Sequence, residues 1–106
     1  MPGPLSLIRN TLEGLRLSWY RLRLGALGRG CRIESGVSLQ YPGRIRIGDG
    51  TGIGRNVTLR ANTDQSPGIE LGKGVSINDA VVINANRGRV TLGDRSWLGP
   101  FCLIYG

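Results

Sequence analysis

The segment RIRIGDGTGIGRNVTLR, residues 44–60, carries an aliphatic residue at every sixth position, at Ile47, Ile53 and Leu59. A small or β-branched residue stands two positions before the aliphatic residue of the second and third units. Neither an α-helix, with 3.6 residues per turn, nor a strand, which alternates every two residues, has a period of six. The period instead indicates a repeated structural unit that turns one large and one small side chain inward.

The same period continues through residues 27–106 as four sets of three units. The aliphatic positions of the other three sets are Leu27, Ile33 and Leu39, then Leu71, Ile77 and Ile83, then Leu92, Leu98 and Ile104. A glycine follows the aliphatic residue directly at Gly28, Gly48, Gly54, Gly72, Gly93 and Gly99. Abundant glycine among regularly spaced aliphatic residues is typical of many tight turns between short strands.

Extra residues interrupt the period only after the third unit of a set. Three units make 18 residues, whereas the steps between sets are 20 from Leu27 to Ile47, 24 from Ile47 to Leu71 and 21 from Leu71 to Leu92. The simplest geometry is a coil with three faces, in which one corner accepts loops. Stacked coils would place residues 44–49, 68–73 and 89–94 as the same parallel strand in three successive coils.

This pattern of an aliphatic residue, a glycine or polar residue, and a small residue four positions after the aliphatic one resembles the hexapeptide repeat of the left-handed β-helix superfamily. The resemblance covers residues 27–106 and implies an all-β solenoid, a left-handed parallel β-helix of about four coils. The left hand is implied by the resemblance alone. Because Gly106 stands only three residues into the twelfth unit, we expect this domain to be incomplete at its C-terminus.

An amphipathic helix is predicted over residues 5–24, ahead of the first coil. Its apolar stripe consists of Leu5, Ile8, Leu12, Leu15, Trp19 and Leu22. A repeat array needs its end covered, so residues 1–26 are predicted to cap the first coil with this stripe. The alternative is a helix on an anionic membrane surface, with an arginine every seven residues along the stripe. Both interpretations hold if one side of the helix caps the first coil and the other side contacts lipid.

Charge and composition narrow the classes of partner. The net charge is +7, of which +5 lies in residues 1–32, yet no array of aromatic residues favours nucleic-acid binding. Cys31 and Cys102 follow no metal-ligand spacing and occupy the small inward position, so no metal site is predicted. With no apolar run of about 18 residues and no signal peptide, the sequence predicts a cytoplasmic protein, peripheral to the inner membrane face if the helix meets lipid.

Most proteins with this repeat are acyltransferases, and the chain most resembles the maltose/galactoside and polysaccharide O-acetyltransferases. The segment Trp19-Tyr20-Arg21 before the first coil resembles the polysaccharide enzymes. The resemblance implies acetyl-CoA or another acyl-CoA as co-substrate, a hydroxyl of a sugar or polysaccharide as acceptor, and a homotrimer with active sites between subunits.

Such enzymes use a histidine as general base, because a hydroxyl is a poor nucleophile until its proton is taken. This chain has no histidine. The family pattern places the base in a loop after a segment like residues 98–105, so we expect it beyond Gly106 and expect the 106 residues to be inactive alone. The alternative is a non-catalytic β-helix that binds or supports other molecules, associated with a membrane surface through residues 5–24.

The resemblance implies one acceptor-binding residue, Asn78, and Asn86 is a second candidate by its place in the chain. Asn78 matches an asparagine that helps to hold the acceptor, although the match needs one extra residue in the following loop. The competing interpretation is a turn residue. Asn86 lies at the loop corner, where the aspartate of the family is absent. Arg87 and Arg89 at the same corner are candidates to meet carrier phosphates.

Overall fold

The computed structural model describes residues 17–106 as one short helix and twelve strands. Helix α1 covers residues 17–23. The strands are β1 (Ala26–Leu27), β2 (Arg32–Ile33), β3 (Ser38–Gln40), β4 (Ile45–Ile47), β5 (Gly52–Ile53), β6 (Thr58–Arg60), β7 (Ile69–Leu71), β8 (Ser76–Ile77), β9 (Val82–Asn84), β10 (Val90–Leu92), β11 (Trp97–Leu98) and β12 (Leu103–Tyr105). A single turn of 3₁₀ helix at Pro42–Arg44 precedes β4.

The strands form three parallel sheets of four strands, and each coil gives one strand to each sheet. Sheet A has the order β1-β4-β7-β10, sheet B the order β2-β5-β8-β11, and sheet C the order β3-β6-β9-β12. The register pairs Ile47 with Leu71 and Leu59 with Ile83, 24 residues apart as the spacing predicted. The predicted fold, an all-β solenoid of about four coils of parallel strands after a helix, is confirmed.

The insertions lie at one corner, between sheet C and sheet A, as predicted. Residues 61–68 and 85–89 connect the strands there, whereas the other two corners keep two-residue turns in every coil. The second residue of each such turn has a positive φ and is Gly30, Gly50, Gly74, Arg95, Gly36, Asn56, Ala80 and Phe101. Tight corners therefore hold the faces in phase, and length varies only at the loop corner.

The core is a set of aliphatic columns that run through the stacked coils. In the second and third coils the inward residues are 0–3% exposed, as at Leu59 and Ile77. In the fourth coil Leu92, Leu98 and Ile104 are only partly buried and pack against the core from its end. Burial is therefore complete only where a coil has a neighbour on both sides.

Helix α1 packs on the first coil with a different face from the predicted one. Tyr20 and Leu24 are 7% and 6% exposed, whereas the predicted stripe residues Trp19 and Leu22 are 48% and 85% exposed. The anchor is Gly25, whose N–H donates to the carbonyl oxygens of Pro42 and Ile45 and so turns the preceding Leu24 inward. The prediction that Trp19 and Leu22 cover the coil is therefore wrong. The rest of the predicted stripe and cap, residues 1–16, lies outside the described residues.

Within residues 17–106, no helix is long and apolar enough to cross a membrane.

Aspartates at the tight corners join one coil to the next. The carboxylates of Asp49, Asp79 and Asp94 accept hydrogen bonds of 2.8–2.9 Å from the backbone N–H groups of Arg29, Arg55 and Lys73, each in the preceding coil. Each donor belongs to a basic residue and each acceptor to an acidic one. The acidic turn residues therefore stabilise coil stacking, which agrees with the turn role expected for them.

Asp79→Ala is expected to lower the free energy of unfolding by about 1 kcal/mol, because the N–H of Arg55 loses its charged acceptor but stays accessible to water. Chemical denaturation of the purified chain would measure the change. Asp64→Ala is the matched control, since Asp64 is exposed and forms no such bond among the described residues. Equal effects of the two substitutions would contradict a stacking role for Asp79.

Candidate ligand-binding face

Sheet C carries large side chains where the other two sheets carry mostly glycine. In its four strands, the residue after the inward aliphatic one is Gln40, Arg60, Asn84 and Tyr105. These four residues are paired in register across the sheet and form what we name the sheet C column. Since neighbouring strands lie about 4.8 Å apart, the column is about 14 Å long. It offers an amide, a guanidinium, a second amide and a phenol ring along one outward line.

The middle of the sheet C column holds a buried donor and a buried acceptor in neighbouring strands. The Nε of Arg60 and the Oδ1 of Asn84 are both shielded from solvent and have no hydrogen-bond partner among residues 17–106. Buried polar atoms without partners are costly and uncommon in folded proteins. A ligand hydroxyl, which both donates and accepts, would reach either atom only after the side chains that cover it move aside.

The end of the column adds an aromatic surface. Tyr105 pairs in register with Asn84 and is 68% exposed. An exposed phenol offers an apolar ring face together with a polar hydroxyl. The Tyr105 ring is therefore open to a ligand, in contrast to the buried atoms of Arg60 and Asn84.

The loop corner borders the column along one side, because its loops follow directly after Gln40, Arg60 and Asn84. The guanidinium of Arg44 lies 5.7 Å from the ring centroid of Tyr41 and donates to the carbonyl oxygen of Thr63. Thr63 itself is 4% exposed, so these contacts fix the first two loops of the corner against each other. The rim of the face is therefore built of ordered loops.

Asn78, the first predicted acceptor residue, lies at the corner between sheets B and C. Its Nδ2 donates to the carbonyl oxygen of Leu98 at 2.7 Å, and its backbone N–H donates to the same atom. The amide thus joins the third coil to the fourth. The acceptor-binding role of Asn78 stays a prediction.

Asn86, the second predicted acceptor residue, lies exposed at the loop corner with Arg87 and Arg89. Strand β9, which has three residues, separates it from the corner of Asn78 and spans roughly 10 Å at about 3.3 Å per residue. The structure therefore does not bring Asn78 and Asn86 together. It does place Asn86 and the two arginines directly after Asn84, at the edge of the sheet C column.

Neither cysteine forms a reactive site in this structure. The Sγ of Cys31 donates to the carbonyl oxygen of Gly48 at 3.2 Å, and Cys102 packs against the core from the fourth coil. A groove of about 270 Å³ lies beside Cys31 between Leu17 and strand β2. No group of three acidic, cysteine or histidine side chains within residues 17–106 is arranged to hold a metal ion.

Sequence reasoning missed Arg60 and Tyr105. The signal that could have found them is the lack of glycine after Leu39, Leu59, Ile83 and Ile104. Glycine follows the aliphatic residue in every unit of sheet A and in two of the four units of sheet B. Its consistent replacement by large side chains marks sheet C as the face with a different role.

Comparison of the chain with family models, with curated proteins and with solved structures finds no match.

Proposed function

We propose that this chain forms the acceptor-binding scaffold of an acyltransferase that modifies hydroxyl groups of a sugar or polysaccharide. The observation that carries the proposal is the in-register column of Arg60, Asn84 and Tyr105, in which the Tyr105 side chain is 68% exposed and Arg60 Nε and Asn84 Oδ1 are buried without a partner among residues 17–106. A sugar offers both complements, because its hydroxyls donate and accept while the C–H face of its ring stacks on an aromatic side chain. The resemblance of the repeat to sugar O-acetyltransferases supports the same class of acceptor.

The proposed reaction uses acetyl-CoA or another acyl-CoA as donor. The acceptor oxygen bonds to the acyl carbon, the carbon–sulfur bond breaks, and the hydroxyl proton passes through a general base to the leaving thiolate. Arg87 and Arg89 are assigned to the phosphates of the carrier, since both are exposed beside the sheet C column. The base must be a group other than a histidine of this chain, because the 106 residues contain none.

Binding of the acceptor is expected to depend on Asn84 and much less on Asn86. Asn84→Ala removes the buried amide, so the Kd for an oligosaccharide that binds the wild-type chain should rise about tenfold, the equivalent of about 1.4 kcal/mol. Titration calorimetry against a panel of neutral and acidic oligosaccharides would measure it. Asn86→Ala is the matched control at the exposed corner. A loss of affinity in Asn86→Ala but not in Asn84→Ala would place the acceptor at the loop corner and overturn the sheet C site.

The second candidate function is a β-helix that binds a saccharide without chemistry. The sheet C column favours it equally, because binding needs no general base. An acetyl-transfer assay with labelled acetyl-CoA and the bound oligosaccharide separates the two functions when the chain is assayed within its complete assembly. We expect the isolated 106 residues to bind the oligosaccharide but not to acetylate it. Acetylation by the isolated chain would show that a general base lies within these residues.

A further inference from the structure

The outer face of α1 points away from the β-helix and is apolar at its centre. At about 100° per residue, Leu22 lies almost opposite the buried pair Tyr20 and Leu24 on the helix circumference. Leu22 is 85% exposed and its neighbour on that face, Trp19, is 48% exposed. The helix thus exposes a leucine and a tryptophan to water on one face while another face packs on the core. This exposure of large apolar side chains requires an explanation.

Arginines flank this apolar centre on both sides. Arg21 and Arg23 are exposed on α1, and the guanidinium of Arg23 lies 5.3 Å from the ring centroid of Trp19. Arg29 and Arg32 are exposed in the first coil, and Arg32 lines a groove together with Leu17 of the helix. Residues 17–32 carry four positive charges and no acidic residue, while Glu34 lines the same groove and the Asp49 carboxylate accepts from the backbone N–H of Arg29.

The opposite end of the β-helix has no such charge. Residues 90–106, the fourth coil, contain one acidic and one basic residue, Asp94 and Arg95, and are therefore neutral. The excess positive charge therefore decreases from the α1 end of the molecule to the fourth coil. An anionic surface would accordingly attract the α1 end first.

From these observations we propose that the α1 end docks on an anionic lipid bilayer. The docking surface consists of Trp19 and Leu22 with Arg21 and Arg23 on either side of them, and Arg29 and Arg32 of the first coil add positive charge at the same end of the molecule. Leu22 and the indole enter the headgroup region, where tryptophan is favoured, and the guanidinium groups contact lipid phosphates. Because Tyr20 and Leu24 stay in the core, the coils project away from the membrane and leave the sheet C column open to water. This docking does not rest on the proposed transferase function.

The test is co-sedimentation of the full chain with vesicles of phosphatidylglycerol mixed with phosphatidylcholine, and with vesicles of phosphatidylcholine alone. We expect binding to the anionic vesicles only, weakened by added salt. Leu22→Glu should weaken that binding by about tenfold or more, because it removes an inserted apolar side chain and adds a repelled charge. Trp19 fluorescence, followed in a Trp97→Phe background, should shift to the blue with the anionic vesicles.

Leu103→Glu is the matched control, since Leu103 is 59% exposed on the neutral fourth coil and the charge change is identical. It should leave vesicle binding within about twofold of wild type, and circular dichroism should show that both variants keep the fold. Equal binding to both kinds of vesicle, or equal losses in the two variants, would overturn the proposal. So would duplex DNA that binds as tightly as the vesicles with no sensitivity to Leu22→Glu, because charge alone would then explain the surface.

Discussion

Leu59→Ala is expected to lower the free energy of unfolding by about 2–5 kcal/mol, the cost of emptying a fully buried leucine site. Leu59 is 0% exposed and lies in the second coil between Leu39 and Ile83 of the neighbouring coils. Each coil buries its inward residues only against its neighbours, so a cavity in a middle coil weakens two stacking contacts at once. Thermal or urea unfolding followed by circular dichroism would measure the loss.

The control for this cavity is Leu103→Ala in the same sheet. Leu103 points outward from β12 and is 59% exposed, so the same chemical change should alter stability by about 0.5 kcal/mol or less. Ile104→Ala should fall between the two, because Ile104 is only partly buried at the end of its column. If all three substitutions had similar effects, the chain would not be held by a stack of inward aliphatic residues.

The fold follows from sequence because the six-residue period is a purely local signal. Every inward position could be counted along the chain, and the surplus residues between Ile47 and Leu71 identified the corner that holds loops. Parallel register then needed no further information, since equal places in successive coils must pair. This is why the pairing of Leu59 with Ile83 was predictable although 24 residues separate them.

The orientation of α1 was not predictable from the same kind of signal. The helix offers one apolar face through Trp19 and Leu22 and another through Tyr20 and Leu24, and apolar spacing alone favoured the longer stripe. The helix is followed by a tertiary contact that the spacing does not reveal, the two hydrogen bonds from the N–H of Gly25 to Pro42 and Ile45. A Cβ at Gly25 would lie 2.6 Å from the carbonyl oxygen of Gly43, so this contact also demands glycine.

The candidate site was predictable only in part. Its column follows from register once the coils are known, but the burial of Arg60 Nε and Asn84 Oδ1 depends on how the outward side chains pack. Asn78 shows the opposite limit, since a motif match selected it and the structure uses its amide to join two coils. The role of Asn78 toward an acceptor stays a prediction, and the buried amide oxygen without a partner among residues 17–106 belongs to Asn84.

Gly48→Ala is expected to destabilise the chain by about 1–3 kcal/mol through overpacking between coils. A Cβ at Gly48 would lie 2.5 Å from the carbonyl oxygen of Gly72 and 2.6 Å from its carbonyl carbon, which are backbone atoms of the next coil. The φ of Gly48 is not positive, so the glycine is needed for space between coils and not for its backbone conformation. The glycine that follows the aliphatic residue of sheet A in the first three coils therefore has a physical reason, the close approach of stacked turns.

Gly93→Ala provides the decisive comparison, because Gly93 holds the same place in the fourth coil and a Cβ there would meet no atom within 4 Å. Unfolding in urea should show a change of about 0.5 kcal/mol or less for Gly93→Ala against the larger loss for Gly48→Ala. A conformational requirement would make the two substitutions equally harmful, since both residues follow the same strand of the repeat. Unequal losses would show that glycine is required at this place only where the turn of the next coil packs against it.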